Sequence, residues 1–384
     1  MQLAEILHSF SPAYVHKVTS QSGIAADRLA QLTNGAPALP SEVVAIARAL
    51  RLHPSSLLGT AHNEATATFL FRSLNLQSSE DQLALRRMSE RLGAAAEILE
   101  GAGPLDEWLT DFLHGDTASG DEAARNAALF RERFAGGDVL GPLSFLPQLC
   151  LEQSLIVLFT MDELPFDGAS AIYQHIPVVF ISRRFVPRML FSLAHEIGHL
   201  VAHHFRAAEA HEATDDFISV DREVRPTVGR RRRAEQYAHA FASELLMPSQ
   251  GVGLFLRTLR QRQSAPADGL GDLEILILSR YYNVSFAVAA MRCEQLTLIP
   301  AGAAHEFTAR MSKRGKSAEK KARELGLMPR EDVVFPSISP FLIEAAAAKI
   351  ADGNISIGRA SELLGLSVGS LIDLHSGGDH SVSM

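Results

Sequence analysis

Cysteine is nearly missing: the 384 residues contain two, Cys150 and Cys293. A single pair cannot build a disulfide scaffold or a cysteine-rich zinc finger. Both thiols are expected in apolar, buried surroundings. Long apolar runs are missing too. Stretches such as Ile275–Leu278 fall far below the ~18–20 residues that cross a bilayer. Met1–Ser11 lacks the basic start and apolar run of a secretory signal. The expected location is therefore the cytoplasm, away from membranes. Excess positive charge is absent as well. Lys and Arg number 36 against 44 Asp and Glu, a formal charge of −8. Any nucleic-acid contact must then be local, not a property of the whole surface.

What the chain does have is the composition of a folded protein, with 47% hydrophobic and 21% charged residues. Its length predicts two or three domains. Residues 1–60 read as short helices at Tyr14–Gln21, Ala25–Thr33 and Pro40–Leu50. Gly23 lies between the first two, and Asn34-Gly35 stops the second. Helix, glycine turn, helix is a helix-turn-helix pattern. Residues 61–120 continue as a helical linker region, ending in the linker-like run Gly115–Gly120. From 121 to 300 helices alternate with short strands: Leu155–Phe159, then a hairpin of Ala169–Tyr173 and Val178–Ser182. A long helix follows over Val186–Phe205. Arg206–Thr227 is polar and reads as a loop. Further helices cover Arg230 to Pro248, Leu273–Tyr282 and Ser285–Leu296. Helices on one small sheet make an α+β, mainly helical fold. The tail, 301–384, combines a basic stretch (Lys313, Arg314, Lys316, Lys320, Lys321, Arg323) with helices at Pro340–Ala351 and Ile357–Leu364, and a third starting near Ser367.

The chemistry concentrates in His195-Glu196-Ile197-Gly198-His199. Two histidines four apart on a helix project from one face and suit a tetrahedral zinc ion. Glu196 can reach a water beside the metal without itself being a ligand. A catalytic zinc needs a third protein ligand. His203 lies eight residues, ~12 Å, along the helix from His195 and cannot close the same tetrahedron, and His204 fares no better. A third histidine six residues after the second would fall on Phe205. Glu235, on a separate helix whose Ala238, Phe241, Ala242 and Leu245 share its face, is the better candidate. Gly198 leaves room for a neighbouring backbone.

Two segments carry a resemblance: Phe191-Ser192-Leu193-Ala194-His195-Glu196-Ile197-Gly198-His199-Leu200, and Glu235-Gln236-Tyr237-Ala238-His239-Ala240-Phe241-Ala242-Ser243-Glu244-Leu245-Leu246-Met247-Pro248. Together they resemble the ImmA/IrrE family of metallopeptidases over about residues 126–300. The resemblance implies a zincin-like domain with zinc held by His195, His199 and Glu235 and with Glu196 as general base. It also implies a narrow protein substrate, a partner helix-turn-helix repressor in stress or mobile-element regulation. Where the family pattern has Asn or Asp, this chain has His239, a candidate for orienting a metal ligand. Tyr237 is a candidate oxyanion stabiliser. Many relatives carry an XRE-like helix-turn-helix, which residues 14–50 resemble.

Whether that module meets DNA or protein stays open. Its second helix offers only Arg28, Gln31 and Asn34, of which Arg28 and Gln31 are the candidate base contacts. Four cations against three acids over residues 1–60 is a thin balance for phosphate binding. Arg230–Arg233 sits at a helix start, where the dipole favours acids, so it reads either as a partner-facing patch or as an exposed loop edge. The alternative function is a DNA-binding regulator or antitoxin-like protein whose peptidase fold acts as a sensor or docking domain.

Overall fold

The computed structural model describes residues 3–8, 10, 12–58, 79–112, 119–162, 164–209, 217–221, 230–263, 269–312 and 317–376. The chain opens with helices α1 (Leu3–His8), α2 (Pro12–Ser22), α3 (Ala26–Thr33), α4 (Pro40–Leu50) and α5 (Pro54–Leu58), then α6 (Ser79–Leu99). Gly23 at φ +71° lies between α2 and α3, and Gly35 at φ +90° lies between α3 and α4. Only glycine adopts such angles readily. On α4, Val43, Ile46, Ala47 and Leu50 recur at helical spacing and join Leu29 and Leu32 of α3 in one buried cluster. Pro40 starts α4, and the Glu42 carboxylate reaches back to the Leu39 N–H at 2.8 Å.

Next come a short 3-10 turn (Glu107–Asp111), α7 (Gly120–Phe134) and α8 (Leu146–Glu152), and then strands β1 (Val157–Met161), β2 (Gly168–Tyr173) and β3 (Ile176–Ser182). Helix α9 (Val186–Glu209) leads to strand β4 (Phe217–Asp221). Helices α10 (Arg230–Leu246), α11 (Ser249–Gln263), α12 (Asp272–Tyr281), α13 (Phe286–Gln295), α14 (Ala303–Ser312) and α15 (Ala318–Glu324) follow. The chain closes with α16 (Pro340–Ala351), α17 (Ile357–Leu364) and α18 (Val368–Ser376). Among the described residues, no helix is long and apolar enough to cross a membrane.

The fold is α+β and mainly helical, as expected, with one four-stranded sheet in the order β1-β3-β2-β4. β2 and β3 form the expected hairpin, turning through Gln174 and His175, both at positive φ. β1 joins β3 in parallel, and β4 pairs antiparallel with β2 from Gly168↔Asp221 to Ile172↔Phe217. β4 corrects the reading of 206–227 as loop. Five residues with an apolar alternation at Ile218 and Val220 are a weak local signal, and pairing with β2 makes them a strand. Every residue of β2 and β3 is buried, so both faces of the sheet are covered. One face, through Leu158, Ile172, Val179 and Ile181, joins the core containing Leu190, Leu193, Ile197 and Leu200 of α9.

By compactness the chain forms two units. One is Met1–Gly103 with Glu163–Pro165 and Ile338–Met384; the other is Pro104–Asp162 with Phe166–Ser337. In the first unit, α6 receives both chain ends. The Leu50 carbonyl accepts from Arg87, Lys349 donates to the Glu97 carbonyl, and Arg359 pairs with the Glu97 carboxylate. In the second, Ala304, Ala322 and Phe335 extend the core that holds α9. The run Gly115–Gly120 lies mostly outside the described residues, but Ser119 caps α7 by accepting from the Glu122 N–H. Lys313, Arg314 and Lys316 also lie outside them, whereas Lys320, Lys321 and Arg323 are on α15.

Candidate metal centre

The site starts from two histidines one helical turn apart. On α9, His195 and His199 share a face, and both are fully buried. Their Nε2 atoms are 3.0 Å apart, with the rings nearly perpendicular at 82°. Helix α10 crosses α9 at Gly198. A Cβ there would meet Ala238 Cα at 3.0 Å and the Phe241 side chain at 3.2 Å. The bare backbone at Gly198 therefore sets how closely the helices approach. That approach delivers Glu235, whose Oε2 lies 3.4 Å from His195 Nε2 and 3.6 Å from His199 Nε2.

These three atoms fit a metal ion on spacing and on chemistry. A tetrahedral ion bound at ~2.0–2.1 Å holds its ligand atoms about 3.3 Å apart, and the three observed separations straddle that value. Two imidazoles with one carboxylate form a donor set found in hydrolytic sites, which keep a fourth position open. Among the described residues this is the one cluster of three or more His, Cys, Asp or Glu side chains that could hold a metal. Burial acts to raise the Glu235 carboxyl, but the two imidazoles outweigh it and hold it well below the ordinary carboxylate range. Glu235 is about one-third exposed and His239 is exposed, so solvent meets the cluster from the α10 side.

Glu196 leaves α9 one residue after His195 and lies along β2. Ser170 donates to its Oε2 at 2.6 Å. Both side chains are fully buried. A Cβ on Gly168 would stand 3.0 Å from Glu196 Cγ and 3.1 Å from Oε1, so the carboxylate occupies space that only glycine leaves.

A match to known families bears on this arrangement. Residues 151–294 match the family model of the IrrE N-terminal-like domain, Peptidase_M78, and the match takes in both histidines, Glu196, Glu235, Ser170 and Gly168. This segment is similar to the IrrE N-terminal-like peptidase domain. No curated protein matches the chain.

Two further candidates of this segment, His239 and Tyr237, are placed differently. His239 comes to the site: its ring packs edge-on against His195, centroids 4.7 Å apart, with Phe191 5.7 Å away on another side. Tyr237, two residues on from Glu235, stacks its ring with Phe241, and its hydroxyl accepts from Asn126 of α7 at 2.7 Å. Burial pushes its phenol up. Tyr237 is thus part of the buried core between α7 and α10. The side chains of His203, His204 and Arg230–Arg232 lie outside the described residues.

Arg28 and Gln31 belong to the other unit, and the Arg28 guanidinium is engaged internally. It donates to Glu42 at 2.7 Å, to Gln31 Oε1 at 3.2 Å and to the Pro37 carbonyl at 2.9 Å. The Arg28 hydrogen bond, helped by the Leu39 N–H, holds the Glu42 carboxyl down at about 2.

Several functional supports carried no signal strong enough to be read from the sequence. Ser170 and Gly168 are ordinary strand residues until β2 meets α9. Arg131 donates to the Leu245 carbonyl, while Arg292 donates to the Met247 carbonyl at 2.9 Å and pairs with Glu244. Two guanidiniums thus cap the C-terminal end of the helix that carries Glu235, where the helix dipole favours cations.

Proposed function

We propose that the protein is a zinc-dependent endopeptidase acting on a narrow set of protein substrates. The observation that carries this reading is the convergence of His195, His199 and Glu235 beside Glu196 in a domain of a peptidase family. His195, His199 and Glu235 would hold the ion, which when bound supplies Lewis acidity and a fourth position for the scissile carbonyl or water. Glu196 takes the proton of the attacking water and returns it to the leaving amine. His239 braces the His195 ring at the exposed side and lines the approach for the peptide.

For the substrate, we infer a partner repressor built on a helix-turn-helix, in stress or mobile-element regulation. The support is the resemblance of the paired motifs to ImmA/IrrE peptidases and the three-helix module that this chain itself carries over α2–α4. The test is incubation of the zinc-loaded protein with purified helix-turn-helix repressors of its own host. Wild type should cleave one of them at one position, and Glu196→Gln should keep its zinc and cleave nothing. Cleavage by Glu196→Gln at the wild-type rate would refute the assignment.

The second reading, a DNA-binding regulator, draws on the glycine turn between α2 and α3. It is weakened by Arg28, whose guanidinium is committed to Glu42, Gln31 and Pro37. Loss of operator binding in Arg28→Ala without loss of folding would favour it.

A further inference from the structure

Glu196 is held by something other than its own helix. Its side chain is fully buried, its Oε2 accepts the Ser170 hydroxyl at 2.6 Å, and its Cγ and Oε1 fill the place a Gly168 side chain would take. Ser170 and Gly168 are two apart on β2 and so face the same side of the sheet. β2 is an inner strand, paired on both edges by β3 and β4. Its backbone is therefore fixed, and the carboxylate rests against a rigid part of the fold, not a loop. A glutamate side chain has three rotatable bonds. A general base must keep its oxygens at hydrogen-bond range of the proton it takes. A charge-assisted hydrogen bond from one side and a close wall on the other remove that freedom.

We propose that Ser170 is a positioning residue for Glu196, with Gly168 as the gap that admits the carboxylate. The proposal rests on the reading of Glu196 as the base of a zinc peptidase. Ser170 does not touch substrate or metal; it acts only through Glu196. Removing its hydroxyl leaves the fold and the metal ligands in place while the carboxylate loses one defined orientation. A threonine retains the hydroxyl and is the conservative replacement.

The test uses the full-length, zinc-loaded protein and acetohydroxamic acid as probe. A hydroxamate binds zinc through its two oxygens and gives its proton to a neighbouring carboxylate, so its affinity reports where Glu196 stands. Ser170→Ala should bind zinc with full stoichiometry and lose about tenfold in acetohydroxamate affinity, while Ser170→Thr stays near wild type. In the Glu196→Gln background, Ser170→Ala should have no further effect, because the two act as one unit. Wild-type affinity in Ser170→Ala would overturn the proposal, as would an equal loss in both backgrounds. If Ser170→Ala fails to fold or to hold zinc, Gly168→Ala decides. Retained zinc with weakened hydroxamate binding supports the proposal, and undiminished binding overturns it. Absence of zinc from the wild type is a separate result that removes the peptidase reading itself.

Discussion

Replacing Gly198 by alanine adds one methyl group where α9 and α10 cross. The added carbon would sit 3.0 Å from Ala238 Cα and 3.2 Å from Phe241 Cβ. The nearest atom is backbone, which cannot swing aside. Ordinary contact begins near 3.4 Å, so the helices must part by about 0.4 Å. Overpacking of this kind costs ~1–3 kcal/mol. The higher helix propensity of alanine returns ~1 kcal/mol, leaving a net loss of up to ~2 kcal/mol and a fall in Tm of ~2–4 °C for each kcal/mol. The metal site should suffer more. His195 and His199 are on one helix and Glu235 is on the other, and ligand distances tolerate only about ±0.2 Å. A drop of ~10–100-fold in zinc affinity is expected, measured by chelator competition alongside thermal unfolding of the metal-free protein. Gly253→Ala on α11 is the control. Nothing lies within 4 Å of its added Cβ, so it should stabilise by ~0.5–1 kcal/mol and leave zinc binding unchanged. A Gly198→Ala protein that binds zinc as tightly as wild type and melts no lower would refute the crossing argument.

Other expectations follow from the same structure. Glu196→Gln retains zinc and loses cleavage, read by metal content and gel assay. Glu42, held at about 2 against an ordinary value of 4.5, contributes stability that is complete above 4.5 and is lost as pH falls through 2. Wild type should thus lose more stability than Glu42→Gln over that acid range in circular-dichroism unfolding; identical pH profiles would contradict this. Burial pushes Cys293 up to about 12 and Cys150 higher still, so neither thiol should react with Ellman's reagent at pH 8 until guanidinium unfolds the protein.

The sequence made much of this site legible because its signals are local. Histidines four apart on an apolar helix state their shared face, and Gly23, Asn34-Gly35 and Pro248 punctuate helices where the structure ends or turns them. The third candidate ligand needed one more step, a carboxylate on a second helix with a matching apolar face, and Glu235 stands 3.4 Å from His195. What escaped depends on tertiary partners. β4 becomes a strand by pairing with β2. Helices α11 and α14, not anticipated, bury Val252, Leu256 and Ala304 in a core assembled from distant segments. The hydrogen bond that Asn126 of α7 donates to the Tyr237 hydroxyl also joins segments far apart in sequence. The compact unit joining α6 with α16 and α17 arises from contacts such as Arg359 with Glu97, which no local pattern foretells.

The central claim is that His195, His199 and Glu235 form one metal site. It is tested most directly by counting zinc in the purified full-length protein and in three single variants, His195→Ala, His199→Ala and Glu235→Ala. The account predicts one zinc per chain in wild type, with each variant losing it or binding it far more weakly while staying folded. A wild-type protein that takes up no zinc, or a zinc content untouched by removal of Glu235, would contradict it.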